Sequence, residues 1–167
     1  LKAIEEKGVG VLIKHYALND SETLRQGLGI WANEQSIREI YLKAYQKSIE
    51  EVGANGVMTS FTRVGTTWAG GDVGLVANVL RGEWGYDGVV MTDWWAFSRI
   101  EHELNAGGDV KMPCQISFKW GIVDPNYNWT DAPQPYALSN SLYDGKLDKT
   151  TAYAAARRIL TMMGKFE

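Results

Sequence analysis

Apolar positions along the chain fall into two patterns: short runs bounded by glycine or polar residues, and longer segments in which they recur every three or four positions. The runs predict buried strands and the spaced segments amphipathic helices. Residues 9–13, Val9-Gly10-Val11-Leu12-Ile13, form the first strand and stop before Lys14-His15. A helix is predicted over 34–52, with apolar Ile37, Ile40, Tyr41, Ala44, Tyr45 and Ile49 and with Gly53 beyond its end. Residues 56–61 read as a second strand, 73–84 as a helix opened by Gly70-Gly71, and 88–92 as a third strand ending at Asp93. Beyond it, 99–106 reads as a helix and 109–112 as a further short strand before Pro113. Residues 114–135 lose all periodicity and are expected to form a long surface loop, a kind of segment often tied to function. Helices over 136–142 and 149–163 close the chain, with a turn at Asp144-Gly145-Lys146-Leu147 and a helix start at Asp148.

Strands alternating with helices predict an α/β fold with a parallel sheet. Four short strands amount to half of an eight-stranded (β/α)8 barrel, whose open edges something outside residues 1–167 has to pair. Leu1 opens directly into a helical pattern with no initiator methionine, signal peptide or transit sequence ahead of it, which predicts a piece of a longer protein.

Composition narrows the partners. A formal net charge of -3 with 22% charged residues argues against nucleic acid or an anionic membrane, and no run approaches the ~18 apolar residues of a membrane span. The lone Cys114 excludes an internal disulfide, which fits a reducing compartment such as the cytoplasm and also many exported bacterial proteins. Seven Trp and eight Tyr are unusually many: some must fill the core, and others can supply flat faces that stack on sugar rings.

Polar groups gather where the strands end. Asp93 follows Val89-Val90-Met91-Thr92 and precedes Trp94-Trp95, so a carboxylate that can attack an anomeric carbon sits beside an apolar wall. The bland alternative is an Asp capping the next helix. Lys14 and His15, with Arg25 in the loop beyond, suit a polyhydroxylated ligand because charged donors bind hydroxyls strongly. Taken singly, Lys14 also fits the imine-forming lysine of an aldolase, His15 a satisfied core histidine and Arg25 a surface charge. Gly70-Gly71 lacks the lysine and glycine pattern of a phosphate-binding loop. No cofactor or metal site is indicated.

The segment Lys14-His15-Tyr16-Ala17-Leu18-Asn19-Asp20-Ser21-Glu22-Thr23-Leu24-Arg25 resembles the Lys-His-Phe-Ala-x-Asn-x-x-Glu-Thr-x-Arg stretch of glycoside hydrolase family 3 enzymes of the β-glucosidase type. The likeness continues through Asn33-Glu34-Gln35-Ser36-Ile37-Arg38-Glu39-Ile40-Tyr41-Leu42, Val57-Met58-Thr59-Ser60-Phe61, Leu80-Arg81-Gly82-Glu83-Trp84-Gly85-Tyr86-Asp87-Gly88 and Val90-Met91-Thr92-Asp93-Trp94. It covers roughly residues 8–113, and Ala155 to Leu160 resembles the last barrel helix.

This resemblance implies retaining hydrolysis of terminal β-glucosyl residues, with Asp93 as nucleophile. It implies that Lys14, His15 and Arg25 bind sugar hydroxyls, that Met58 and Phe61 line the pocket and that Trp94 walls the scissile bond. Phe61 departs from the family's usual tyrosine, whose hydroxyl donates to the nucleophile. The family's first half-barrel and its α/β sandwich domain, which supplies the acid/base carboxyl, lie outside this sequence. The partners implied are a β-linked glucoside and the remainder of the same enzyme, and the chain alone is expected to be inactive. A sugar-binding relative that has lost turnover is the runner-up, with Phe61 as its support, and a lysine-dependent aldolase is third. Glu101 and Glu103 have the spacing of a helix face and are not assigned as the acid.

Overall fold

The computed structural model describes residues 1–94, 96, 98–112 and 138–166. The predicted loop over 114–135, with Cys114, Trp120, Tyr127 and Trp129, lies outside the described residues, as does Trp95. In chain order the elements are α1 (Lys2–Glu5), β1 (Leu12–Tyr16), β2 (Gly29–Ile30) and α2 (Glu34–Ser36), which runs through a π-helical turn at Ile37–Tyr41 into α3 (Lys43–Glu50). Then follow β3 (Gly56–Thr59), β4 (Arg63–Val64), β5 (Thr67–Trp68), a 3-10 turn at Ala69–Gly71 and a π-helix at Gly74–Glu83. β6 (Val89–Thr92), α4 (Ile100–Asn105), α5 (Leu138–Tyr143) and α6 (Lys149–Met163) complete the series. The Asn33 side chain caps α2 by accepting from the Ser36 amide at 2.8 Å, and Asp148 caps α6 by accepting from the Thr150 amide at 2.7 Å.

The main sheet is parallel, in the order β1-β3-β6, with crossovers through the helices. Ile13, Val57 and Val90 are in register and face the helix layer, where Leu42, Leu75, Val76 and Leu80 bury against them. Tyr16 extends this core, its ring edge-on to Tyr45 and Trp84 and its hydroxyl donating to the Leu75 carbonyl at 2.9 Å. Alternation puts the neighbouring row, Lys14, Met58 and Met91, on the opposite face. A smaller cluster of Ile100, Leu104, Leu147 and Ala155 packs α4 against α6 and the turn before it.

Two expectations are corrected. The first strand covers Leu12–Tyr16 and not 9–13, so Lys14 and His15 lie within it; their polarity disguised a strand whose outer face is open. The predicted strand over 109–112 is a single bridge from Val110 to Met91, because Asp109 turns its side chain into an ion-pair cluster instead of extending the ladder. Between Thr62 and Gly71, where no element is predicted, Arg63–Val64 and Thr67–Trp68 form a hairpin that pairs with Gly29–Ile30 in a second small sheet.

Candidate functional site

His15 stands where the pairing of β1 with β3 slips: Lys14 faces Met58 and Tyr16 faces Thr59, leaving His15 unpaired between them. An extra residue of this kind bends the strand and re-aims a side chain. Here the imidazole reaches past β3 to Asp93, just beyond the end of β6, with Nε2 2.7 Å from Oδ2. Both side chains are largely covered, at 18% and 14% exposure, yet still open to a small ligand. The other Asp93 oxygen accepts from the Trp94 backbone amide at 2.6 Å, so each carboxylate oxygen has one donor.

Burial lowers the His15 pKa below 6.5; the Asp93 carboxylate opposes that shift, and the charges of Lys14 and Arg25 reinforce it. A neutral imidazole then donates through Nε2 to the carboxylate. Lys14 and Arg25 therefore share the electrostatic neighbourhood of the His15–Asp93 pair. Lys14 itself is exposed on β1, and Met58 is half-buried in the same cross-sheet row.

Arg25 is held from two sides. Its guanidinium pairs with Glu22 at 2.7 Å, and Asn19 Nδ2 donates to the other Glu22 oxygen at 2.9 Å. Its Cζ lies 3.9 Å from the ring centroid of Phe61, which is 1% exposed. The ring is thus the floor beneath a cation, a contact strengthened by removal from water. Trp94 is 45% exposed and adjoins Asp93 directly.

Sequence reasoning missed three parts of this frame. Ser60 Oγ donates to the Ala17 carbonyl at 2.7 Å and Thr62 Oγ1 to the Leu18 carbonyl at 3.1 Å, fastening the exit of β1 to that of β3. Asp109 accepts from Arg81 at 2.7 Å, from Arg158 at 2.6 Å and from the Val90 amide at 2.8 Å, anchoring β6 to two helices. The clustering of small polar residues after Thr59 was the available signal for the first; contacts spanning 28 and 49 positions leave no local signal for the second. Third, Glu103 is 2% exposed and Glu101 4%. Neither faces solvent, and Glu101 is taken up by Arg99 and Ser141. Among the described residues, no group of three or more His, Cys, Asp or Glu side chains has the arrangement of a metal site.

A carboxylate with both oxygens held, a neutral imidazole, two cations and an open indole form a setting for a polyhydroxylated molecule with an apolar face. Comparison with known proteins points the same way. Residues 1–162 match the glycosyl hydrolase family 3 N terminal domain. The chain is 33% identical to a beta-glucosidase of Rhizobium radiobacter over 170 residues, covering all of this chain and 19% of that protein. It is 42% identical to beta-glucosidase B of Emericella nidulans over 124 residues, 74% of this chain and 14% of the relative. Among solved structures, beta-glucosidase 3B from Thermotoga neapolitana in complex with glucose superposes with a TM-score of 0.85 at 28% identity, over 98% of this chain and 22% of that one. The chain thus spans about a fifth or less of the length of these relatives. From the extent of the family match and the identity to these relatives, the chain belongs to glycosyl hydrolase family 3, within its N terminal domain.

Proposed function

We propose that this chain carries the nucleophile of an enzyme that removes terminal non-reducing β-D-glucosyl residues with retention. The single observation behind this reading is the carboxylate of Asp93 at the end of a parallel strand, 2.7 Å from His15 and next to the exposed Trp94. The names of the relatives support the substrate class.

In the first step an Asp93 oxygen bonds to the anomeric carbon as the bond to the aglycone oxygen breaks, and that oxygen takes a proton from a second carboxyl group. Water then attacks the anomeric carbon, gives its proton to the same group and frees Asp93. Lys14, His15 and Arg25 bind the sugar hydroxyls, Met58 lines the pocket, Phe61 holds Arg25, and Trp94 walls the aglycone side. Neutral His15 donates through Nε2 to Asp93, so its other ring nitrogen is the acceptor for a sugar hydroxyl.

The acid/base group and the remaining sugar ligands come from outside residues 1–167. Parallel order β1-β3-β6 with helices on one face supports the second half of a (β/α)8 barrel, completed by a preceding half and an α/β sandwich domain. Alone the chain is expected to be inactive. The test is intact mass spectrometry of the full-length protein after brief exposure to 2-deoxy-2-fluoro-β-glucosyl fluoride. Covalent mass gained on the peptide containing Asp93, and lost in Asp93→Asn, is expected. Glucose binding without any label would instead favour a sugar-binding relative without turnover, the reading in keeping with Phe61 having no hydroxyl.

A further inference from the structure

We propose that Ser98, Glu103 and Lys111 are positioning residues that hold the segment carrying Asp93 and Trp94 in its working geometry; this rests on Asp93 being the nucleophile. Between the end of β6 at Thr92 and the start of α4 at Ile100, the described residues Asp93, Trp94, Ala96, Ser98 and Arg99 lie in no helix or strand. Among the described residues, the backbone of this segment makes a long contact from the Ala96 amide to the Asp93 carbonyl at 3.4 Å. Side chains add further contacts. Lys111 Nζ donates to the Ala96 carbonyl and, at 3.0 Å, to Ser98 Oγ, while Ser98 Oγ donates to Glu103.

Both ends of this chain of donors are rooted. Lys111 follows Val110, which bridges Met91 and accepts from the Thr92 amide at 2.9 Å, and it precedes Met112, whose amide donates to Thr92 Oγ1 at 2.8 Å. Glu103 is carried by α4 and reaches into a crevice roofed by Gly70, where a methyl group would overlap its carboxylate. The loop is therefore strapped at Ala96 and Ser98 to the strand that ends at Asp93.

The energetics favour a role beyond packing. Lys111 is 8% exposed and Glu103 2%, joined through Ser98 Oγ, and opposite charges taken out of water typically stabilise no better than apolar residues of similar volume. A hydrophobic core would serve stability here equally well, whereas directional donors fix the path of a loop. Burial raises the Glu103 pKa while the Lys111 charge opposes the rise, in keeping with a carboxylate whose main compensation is this one cation and one hydroxyl.

Ser98→Ala, Ser98→Thr and Lys111→Met in the full-length protein test this with an aryl β-glucoside, counting active sites by titration with the fluoroglucoside so that misfolded protein drops out. Expected for Ser98→Ala and Lys111→Met is a roughly 10- to 100-fold fall in kcat per titrated site, the scale of a misplaced reacting group. KM should change less than kcat, because the hydroxyl ligands Lys14, His15 and Arg25 lie on β1 and the loop after it, and Ser98→Thr should recover most of the rate. Ser98→Ala probes the strap even if Lys111→Met fails to fold. A kcat per site within about two-fold of wild type in Ser98→Ala overturns the proposal. So does a loss that Ser98→Thr leaves unrelieved. A wild-type protein that neither labels at Asp93 nor cleaves the glucoside overturns the nucleophile assignment itself, visibly before any variant is compared, and the positioning role with it.

Discussion

His15 and Asp93 meet across an intervening strand. β1 and β6 flank β3, two ladder spacings of about 4.8 Å apart, so two ordinary side chains at the same level would not touch. Contact at 2.7 Å arises because the slip in register at His15 aims the imidazole along the sheet and because Asp93 lies just past the strand end. Closing that irregularity would separate the pair without changing either residue.

Burial depresses the His15 pKa below 6.5, so the unfolded chain binds the proton more readily than the folded one. His15 therefore adds to stability above pH 6.5 and this contribution is lost as pH falls through that value towards the lower folded pKa. His15→Gln should flatten this part of the profile. Thermal melts of both proteins between about pH 5 and 8 check it; parallel curves would show that the imidazole is not the titrating group.

Asp109 sits with its side chain fully covered between two guanidiniums. Replacing it with Ala leaves Arg81 and Arg158 facing each other and the Val90 amide unpaired, a loss of about 3–5 kcal/mol. Chemical denaturation followed by tryptophan fluorescence should show an earlier midpoint for the transition of this region.

Phe61→Leu keeps an apolar residue but removes the ring face under Arg25. Weakened substrate binding is expected, with KM raised several-fold and kcat changed less, since Arg25 is read as a hydroxyl ligand. Steady-state kinetics on the full-length protein distinguish this from a fall in kcat alone, which would place Arg25 in the chemical step.

Thr59 Oγ1 is buried with no hydrogen-bond partner among the described residues. Thr59→Val relieves an unpaired hydroxyl and should stabilise by about 1 kcal/mol, whereas Gly70→Ala, whose methyl would overlap both that hydroxyl and Glu103, should cost about 1–3 kcal/mol. Paired melting curves read the opposite signs directly.

How far the sequence carries depends on the range of the cause. β3 and β6 are legible because Val57 and Val90 sit in short apolar runs opened by glycine, and the helix after β2 because Ile37, Tyr41, Ala44 and Tyr45 recur every three or four positions. β1 was displaced by three residues because Lys14 and His15 face an open side of the sheet, and polarity there looks like a strand's end. Two-residue strands such as Gly29–Ile30 and Arg63–Val64 are too short to carry any period. Of the site, Lys14, His15, Arg25, Asp93 and Trp94 were candidates by chemistry alone. That His15 touches Asp93, that Phe61 underlies Arg25 and that Glu103 is buried beside Gly70 follow from tertiary packing, which no local pattern encodes.

Arg158 lies 49 positions after the aspartate it grips, and that aspartate in turn secures the strand leading to Asp93. Any recombination of homologous genes with a breakpoint between those two positions inherits the anion from one parent and the guanidinium from the other. Such chimaeras keep this ion pair only where both parents carry it, so the contact favours exchanging the interval whole.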